Sequence, residues 1–385
     1  MARSGPNKFV LCVKVESEWP SLSQKRMVNN ALTLEAHVKQ IKKRNLDGQS
    51  LITPDTVAKE IFSSRTESFD DNFIVAKAEI ALILEMAQQQ IEKGLAAQEV
   101  IHFTAGALHG LRDKIHSSVW AELIPIVQNH AISDYFLEDP FTRWSFEKPR
   151  GYSGDAQLLD FIYGHESVAG LVRNASPVGA ALYDYTKDAS SSVAVRERRD
   201  ILTRFVDEAA ERHAGGAEIL TIASGHLREA NNSTALKEKR IKRWVALDQD
   251  PISVGSVMRD FHGTCIEAID GSVRDIVLRS QELGTFDFIY AAGLYDYLND
   301  KVAIKLTKRC MEMLKPGGMF LFANFSEDIV VDGYMETFMN WALLLRSKAD
   351  MWKIVNESAE PSSVEAEVFF GENHNIVYAT IRKKD

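Results

Sequence analysis

The residues best placed to do chemistry stand at the ends of apolar runs in the second half of this chain. Residues 217–223 (AEILTIA) form one run and break at Ser224-Gly225; residues 243–247 (RWVAL) form another and end on Asp248-Gln249. Strand, tight glycine turn, helix with Glu229 near its start, second strand and an acid about 20 residues after the turn make the first unit of a doubly wound sheet that binds a nucleoside. Gly225 lets backbone amides approach a ligand, and Asp248 can accept from both hydroxyls of a ribose. Two further runs end on Gly271-Ser272 and on Ala291-Ala292-Gly293-Leu294. Ser272 or the amide of Val273 can meet an adenine edge, and residues 291–294 can line a ligand with backbone and small side chains. The turn lacks the several glycines of GxGxxG, which disfavours a dinucleotide, and no GxxxxGK[ST] marks a P-loop.

The elements that must position these groups follow from periodicity. A helix is expected from Pro251 to residue 261, a strand at 265–269, a helix near 276–283 and a strand at 286–290 (FDFIY). An amphipathic helix at 302–314 closes on Lys315-Pro316-Gly317-Gly318, and a fifth strand at 319–324 precedes a long helix over 334–348. Late strands near 365–370 and 375–381 suit an antiparallel hairpin at the sheet edge. This alternation predicts an α/β fold, a mostly parallel sheet with helices on both faces. Upstream the pattern is helical. Phe73, Ala76, Ile80, Ile83, Leu84, Ala87 and Ile91 recur at three- and four-residue steps through 69–93, which Gly94 ends. Further helices are expected at 21–45, after Thr53-Pro54, and at 96–117, 119–130, 177–187 and 195–213, with a short strand at 8–15. The expected division is a mainly helical domain over 1–195 and a sheet domain over 196–385.

Bulk properties exclude several classes. The chain has 385 residues, room for two cores, and a net charge of −9, which supplies no basic excess for nucleic acid. The basic run 237–243 (KEKRIKR) reads as the solvated end of a helix. Cys12, Cys265 and Cys310 are far apart without CxxC spacing, so neither a disulfide framework nor a zinc site is expected. His102, His109 and His116 share a helix face, but at 1.5 Å per residue their spacing is about 10 Å, too far to share one metal ion. The N-terminal apolar stretch is too short for a signal peptide, and no run reaches the ~18 apolar residues of a membrane helix. A cytoplasmic protein without metal is the expectation.

Residues 139–164 (DPFTRWSFEKPRGYSGDAQLLDFIYG) crowd Phe141, Trp144, Phe146, Tyr152, Phe161 and Tyr163 around a turn of prolines and glycines, with Asp155 near the start of a helix. Turns of this composition between helices often carry function.

Together, the element order, the lone Asp248 after the second strand, FDFIY and LKPGG resemble class I S-adenosylmethionine-dependent methyltransferases over about 196–385. The family's first motif, E/D-x-G-x-G-x-G, is replaced here by Thr221-Ile222-Ala223-Ser224-Gly225-His226-Leu227, and Ser272 stands where many members have aspartate. More narrowly, PRGYSGDAQLLDFIYG, FDFIYAAGLYDYL, LKPGG and YMETFMNWALLLR resemble bacterial extracellular-factor or 3-hydroxypalmitic acid methyl ester biosynthesis proteins, which join a helical N-terminal region to a Rossmann-like methyltransferase sheet. The resemblance implies S-adenosyl-L-methionine as cofactor, held by Ala223, Ser224, Gly225, Glu229, Asp248, Gln249, Gly271, Ser272, Ala291, Gly293 and Leu294. It also implies that the 139–164 segment closes over it, with Arg150, Gly151, Tyr152 and Asp155 near the methionine moiety or its sulfonium.

Such a reaction needs a nucleophile held about 3 to 3.5 Å from the carbon it attacks and aromatic faces for the cation. Tyr152, Tyr163, Tyr183, Tyr295, Tyr297 and Trp144 are the candidate faces, Tyr152 and Tyr295 foremost because both sit in loops facing the expected ligand, and Asp296 or a tyrosine hydroxyl is the candidate base, Asp296 being equally suited to cap a helix. The leading expectation is methyl transfer to a small-molecule oxygen or nitrogen. The azetidine-2-carboxylate synthases, which this chain also resembles, set an alternative in which the cofactor's own amine attacks its Cγ and methylthioadenosine leaves. A third reading is a non-catalytic cofactor-binding interaction protein. The implied partners are a small-molecule substrate and a second copy in a homodimer, with no nucleic acid and no membrane.

Overall fold

Two stripes of apolar side chains on one sheet explain how the chain is layered. A computed structural model describes residues 70–213 and 215–385, which all fall in one compact unit. The strand expected at 8–15, the helices expected at 21–45 and after Thr53-Pro54, and Cys12 lie outside the described residues.

Helices come first: α1 (Asp70–Glu92), α2 (Ala97–Lys114), α3 (Ser117–Gln128), α4 (Ile132–Phe136), α5 (Pro140–Glu147), α6 (Ala156–Tyr163), α7 (Ala169–Arg173), α8 (Pro177–Lys187) and α9 (Ser190–Arg212). The expected stripe of α1 is the face it buries, with Ala76, Ile80, Leu84 and Ala87 in the core. Proline at the first turn of α5 and α8 follows Asp139 and Ser176, whose side chains cap the free amides. The boundary expected at 195/196 falls inside α9, which packs on β1 and β4 and carries helical-layer and sheet contacts alike.

The sheet alternates with helices: β1 (Ala217–Ile222), α10 (Thr234–Lys237), β2 (Ile241–Asp248), α11 (Pro251–Asp260), β3 (Ile266–Asp270), α12 (Val273–Leu278), β4 (Phe286–Ala291), α13 (Asp300–Met313), β5 (Leu314–Phe325), α14 (Asp332–Thr337), α15 (Lys348–Ser358), β6 (Val364–Phe370) and β7 (Ile376–Lys383). The strand order is β3-β2-β1-β4-β5-β7-β6. β1 to β5 run parallel, and β7 inserts antiparallel between β5 and β6. The order reverses between β1 and β4, so a crevice opens there at the strands' carboxyl ends. This is the Rossmann-like α/β sheet expected from the sequence, joined to a helical layer.

Residues alternate across the sheet with period two. Ile219, Trp244, Ala246, Phe288, Leu321 and Tyr378 face the helical layer and α9. Leu220, Val245, Leu247, Ile289, Phe320, Phe322 and Val377 face α12, α13 and α15. Both faces are covered, so the central strands read as unbroken apolar runs.

Several elements differ from expectation. The chain after Ser224 makes a 3-10 turn, Arg228–Asn231, and the short α10 in place of one helix. The helix expected at 276–283 is α12, started earlier by a capping box between Ser272 and Asp275. The long helix expected over 334–348 is interrupted. α14 ends at Thr337, Asn340 adopts a left-handed φ of 49°, and a second capping box, Ser347 with Asp350, starts α15. Buried Arg346 holds the intervening chain down by donating to Asn324 Oδ1 at 2.6 Å and to the Tyr295 carbonyl at 2.7 Å.

The histidine stripe splits into separate partnerships. His102 meets the Tyr185 hydroxyl, His109 meets Asp332, and His116 caps α3. Cys265 and Cys310 are free thiols. Among the described residues, no helix is long and apolar enough to cross a membrane, and no group of three or more His, Cys, Asp or Glu could hold a metal ion.

Helix α14 carries Glu336 to the crevice and rests on α2 through Gly333. A Cβ there would lie 2.7 Å from the Leu108 carbonyl carbon and 2.8 Å from the His109 nitrogen, both backbone. Gly333→Ala therefore pushes two helices apart, and urea unfolding is expected to show a loss of about 2 kcal/mol; an unchanged midpoint contradicts this packing.

Candidate active site

The crevice contains a cavity of about 300 Å³ reaching from the tips of β1 to β4 into the helical layer. Its floor is the turn after β1. The positions that are glycine in E-x-G-x-G-x-G are here Ala223, Gly225 and Leu227, and all three adopt left-handed backbone, with φ of 55°, 53° and 52°. The glycine-turn geometry is thus retained with one glycine. An L-residue in that region costs on the order of 1 kcal/mol or more, so the surrounding contacts must hold it there.

Asp248 at the tip of β2 ties this turn to the next strand. Its carboxylate accepts from the Gly225 amide at 2.7 Å and the Asp250 amide at 2.8 Å. Burial pushes it up to about 6, against the pull of those two amides. A carboxylate offers about four acceptor positions, so two remain for a ligand. Ala223, Ser224, Gly225, Asp248, Gln249, Gly271, Ser272, Gly293 and Leu294 all line the cavity, as does Glu229. The Ser272 hydroxyl donates to Asp275 at 2.6 Å, so at this edge of the cavity the neighbouring Val273 backbone is the better ligand contact. Ala291 is turned into the core on the α13 side and does not line the cavity.

The loop between α5 and α6 covers one side. Arg150 points away from the cavity and fastens this loop to the sheet. It donates to Asp250 Oδ2 at 2.7 Å, Ser253 at 3.1 Å and Gln157 at 3.2 Å, and lies 3.1 Å from His226 Nε2. Although burial opposes it, the Arg150 guanidinium holds Asp250 below the usual carboxylate range. Asp155 caps α6 and accepts from the Trp144 indole at 3.0 Å. Gly151 supplies a left-handed turn at φ 86°. Arg150, Gly151 and Asp155 therefore shape the loop and do not line the cavity. Tyr152 does line it, with its hydroxyl 3.2 Å from Asp250.

Beneath the loop, Asp160 accepts from Arg228 at 2.8 Å and meets His226 Nδ1 at 2.9 Å. Burial raises Asp160, yet the hydrogen bonds from Arg228 and His226 win and hold it well below its ordinary value. With Nδ1–H given to this carboxylate, His226 Nε2 is the acceptor for Arg150. His226 and Arg228 both line the cavity.

The candidate catalytic residues divide. Tyr152 and Tyr163 line the cavity, but burial pushes Tyr152 well above its ordinary range and Tyr163 up to about 12. Their hydroxyls stay protonated, so they offer aromatic faces and donors and not a base. Tyr295 and Asp296 are elsewhere. Tyr295 stacks on Phe322 at 4.4 Å with its hydroxyl 2.7 Å from Thr307. Asp296, pushed up to about 6 by burial, accepts from the Phe325 amide at 2.6 Å. The 3-10 turn Tyr295–Tyr297 sends Tyr297 to the cavity instead, where the Trp341 indole donates to its hydroxyl at 2.8 Å.

Sequence reasoning also missed Lys148, Arg198, His226, Glu336 and Asn340, all in the lining. Burial alone lowers Lys148 to about 8. Arg198 could have been found, because it falls on the same face of α9 as buried Val195 and Leu202. Glu229 accepts from the Tyr290 hydroxyl at 2.6 Å, and burial raises it against that bond and the nearby Arg198 and Arg199.

No protein-family model and no curated protein matches this chain. Solved structures similar to it include a possible exported protein from Bordetella parapertussis, 14% identical, covering 80% of this chain and 97% of that one at a TM-score of 0.49. A DUF574 family protein from Streptomyces avermitilis is 17% identical, with 60% of this chain and 97% of that one covered at 0.43. The N-methyltransferase NodS from Bradyrhizobium japonicum, in complex with S-adenosyl-L-homocysteine, is 17% identical, with 51% and 90% covered at 0.36.

Arg150 and Asp250 side chains are each 6% exposed. Arg150→Met leaves a buried carboxylate unpaired and is expected to cost about 3 kcal/mol in urea unfolding. It should also open residues 148–155 to limited proteolysis; a protected loop would show that Arg150 does not fasten it.

Proposed function

We propose that this cavity binds S-adenosyl-L-methionine and that the protein is a transferase moving its methyl group to a small-molecule oxygen or nitrogen. The observation that carries the reading is Asp248, a buried acid at the second strand tip, held against the left-handed turn of the first strand in a sheet of methyltransferase order. That carboxylate has acceptor positions left for a ribose diol, with Gln249 beside it. The backbone after Ser272 meets the adenine edge, and Gly293 and Leu294 form the opposite wall.

When bound, the cofactor supplies an electrophilic carbon on a sulfonium. Tyr152, Tyr163 and Tyr297 present neutral aromatic rings to a cation in this cavity. Ala121, Ile124, Pro125 and Ala342 give the part nearest the helical layer an apolar wall, with Asn340 as a polar contact for the acceptor. Lys148, lowered to about 8, is the lining group able to take a proton from an acceptor that begins protonated. The loop fastened by Arg150 excludes water, and the helices ahead of the sheet form the domain that carries this cover.

A second reading is cyclisation to azetidine-2-carboxylate, in which the methionine tail would fold beneath the rings of Tyr152 and Tyr163 and no acceptor is needed. One incubation separates the readings: protein with S-adenosylmethionine alone, products identified by mass spectrometry. Methyl transfer expects little turnover until an acceptor is added. Methylthioadenosine with a cyclic amino acid, formed without acceptor, would establish cyclisation. Absence of binding in titration calorimetry would remove both and leave an interaction protein.

The electrostatics give a further expectation. Asp248 titrates near 6 in the free protein, and a ribose diol donates to its charged form. Affinity for S-adenosylhomocysteine is therefore full above about pH 6 and falls below it, by at most about tenfold per unit. Asp248→Asn should lower affinity at pH 7.5 and remove the step near 6. A step that survives in the variant belongs to another group.

A further inference from the structure

The turn that holds the methionine end in a glycine-rich site is here built largely without glycine, yet a cation stands beside the cavity with donors to spare. Arg198 is 4% exposed and comes from α9, one helix ahead of the sheet. Its Nη1 donates to the Ala292 carbonyl at 2.8 Å, just past the end of β4. No other hydrogen bond engages this guanidinium among the described residues, although it carries five N–H donors. Its remaining nitrogens are not sealed in protein, because Arg198 lines the cavity. Nη2 lies 3.7 Å from where a Cβ on Gly293 would stand, which places the free edge beside the bare backbone of that glycine.

Glu229 faces the same end of the cavity and also lines it. One of its oxygens accepts from Tyr290, whose strand ends where Arg198 is anchored. Buried arginine and buried glutamate at one end of a cavity, each with unused hydrogen-bonding capacity, complement a group carrying both charges. An α-amino acid is such a group, its carboxylate matched to the planar fork of guanidinium and its ammonium to a carboxylate.

Building on the S-adenosylmethionine reading, we propose that Arg198 binds the α-carboxylate of the amino-acid end and Glu229 its α-ammonium. The amino-acid end thereby lies against α9 and the end of β4, and the β1 turn is left to the nucleoside. A guanidinium present only to balance Glu229 and Asp296 would contribute to folding but not to the choice among ligands.

Calorimetry with four probes decides between these roles. The wild-type chain is expected to bind S-adenosylhomocysteine at least about tenfold more tightly than methylthioadenosine, which lacks the amino-acid end. It should likewise prefer S-adenosylmethionine to decarboxylated S-adenosylmethionine. Arg198→Met should reduce the first preference to the part that Glu229 supplies while holding methylthioadenosine affinity within about twofold, and Arg198→Lys should restore part of the loss. Equal wild-type affinity for S-adenosylmethionine and its decarboxylated form overturns the proposal and needs no variant to fold. So does a folded Arg198→Met protein that keeps its preference or weakens both ligands alike. Failure of the wild type to bind any of these nucleosides overturns the cofactor reading itself.

Discussion

A guanidinium buried between a loop and a strand tip sets the terms for the rest of this molecule. Arg150 cannot leave water without partners for its charge, and it finds them on Asp250, Ser253, Gln157 and His226. Those partners come from three places: the end of β2 with the helix after it, the start of α6, and the turn after β1. One side chain therefore fixes the distance between the helical layer and the crevice of the sheet. This ion pair holds the loop that brings Tyr152 to the cavity, while Phe141 and Phe161 of the same segment pack in the core, and Asp160 extends the clamp by gripping His226 and Arg228 from below.

The charges inside the crevice are arranged by depth. Residues that fasten the loop are paired and charged, as Asp250 and Asp160 show by staying below the usual carboxylate range. Three groups facing the cavity are instead pushed toward neutrality: Asp248 to about 6, Lys148 to about 8, and Glu229 upward. A ligand that carries hydroxyl donors and opposite charges can supply what these groups lack. The site is thus complementary to a molecule with a diol, a cation and a zwitterion, while neutral tyrosines give it rings without competing charge.

Much of this was legible in the residues themselves. The apolar runs ending at Ser224 and Asp248 are strands because both sheet faces are buried, and an acid left at such an end has few structural uses. The stripe in α1 and the prolines opening α8 and α11 also located their helices. What stayed hidden depends on tertiary placement. Tyr295 and Tyr297 differ by two positions in a single 3-10 turn, and only the fold decides which ring enters the core. Arg198 stayed unmarked in the helix expected at 195–213, because sequence shows charge but not the cavity beside it. The stretch 338–347 has helical periodicity, yet Arg346 is worth more to the chain as a buried anchor for neighbouring carbonyls than as a helical residue.

The left-handed turn after β1 has one more consequence. Where a glycine turn would present bare backbone, this one rests the half-buried Ala223 methyl against the core on one face of the sheet and sends the Leu227 side chain, 1% exposed, into the core on the other. Burying that leucine contributes roughly 1.5–3 kcal/mol, enough to offset strain of similar size. The turn is riveted to both cores, so it has no cheap local opening of its own, and hydrogen exchange at the Ser224 and Gly225 amides should keep step with global unfolding. A ligand arriving at this floor meets a surface already fixed in place and gives up little entropy in ordering it.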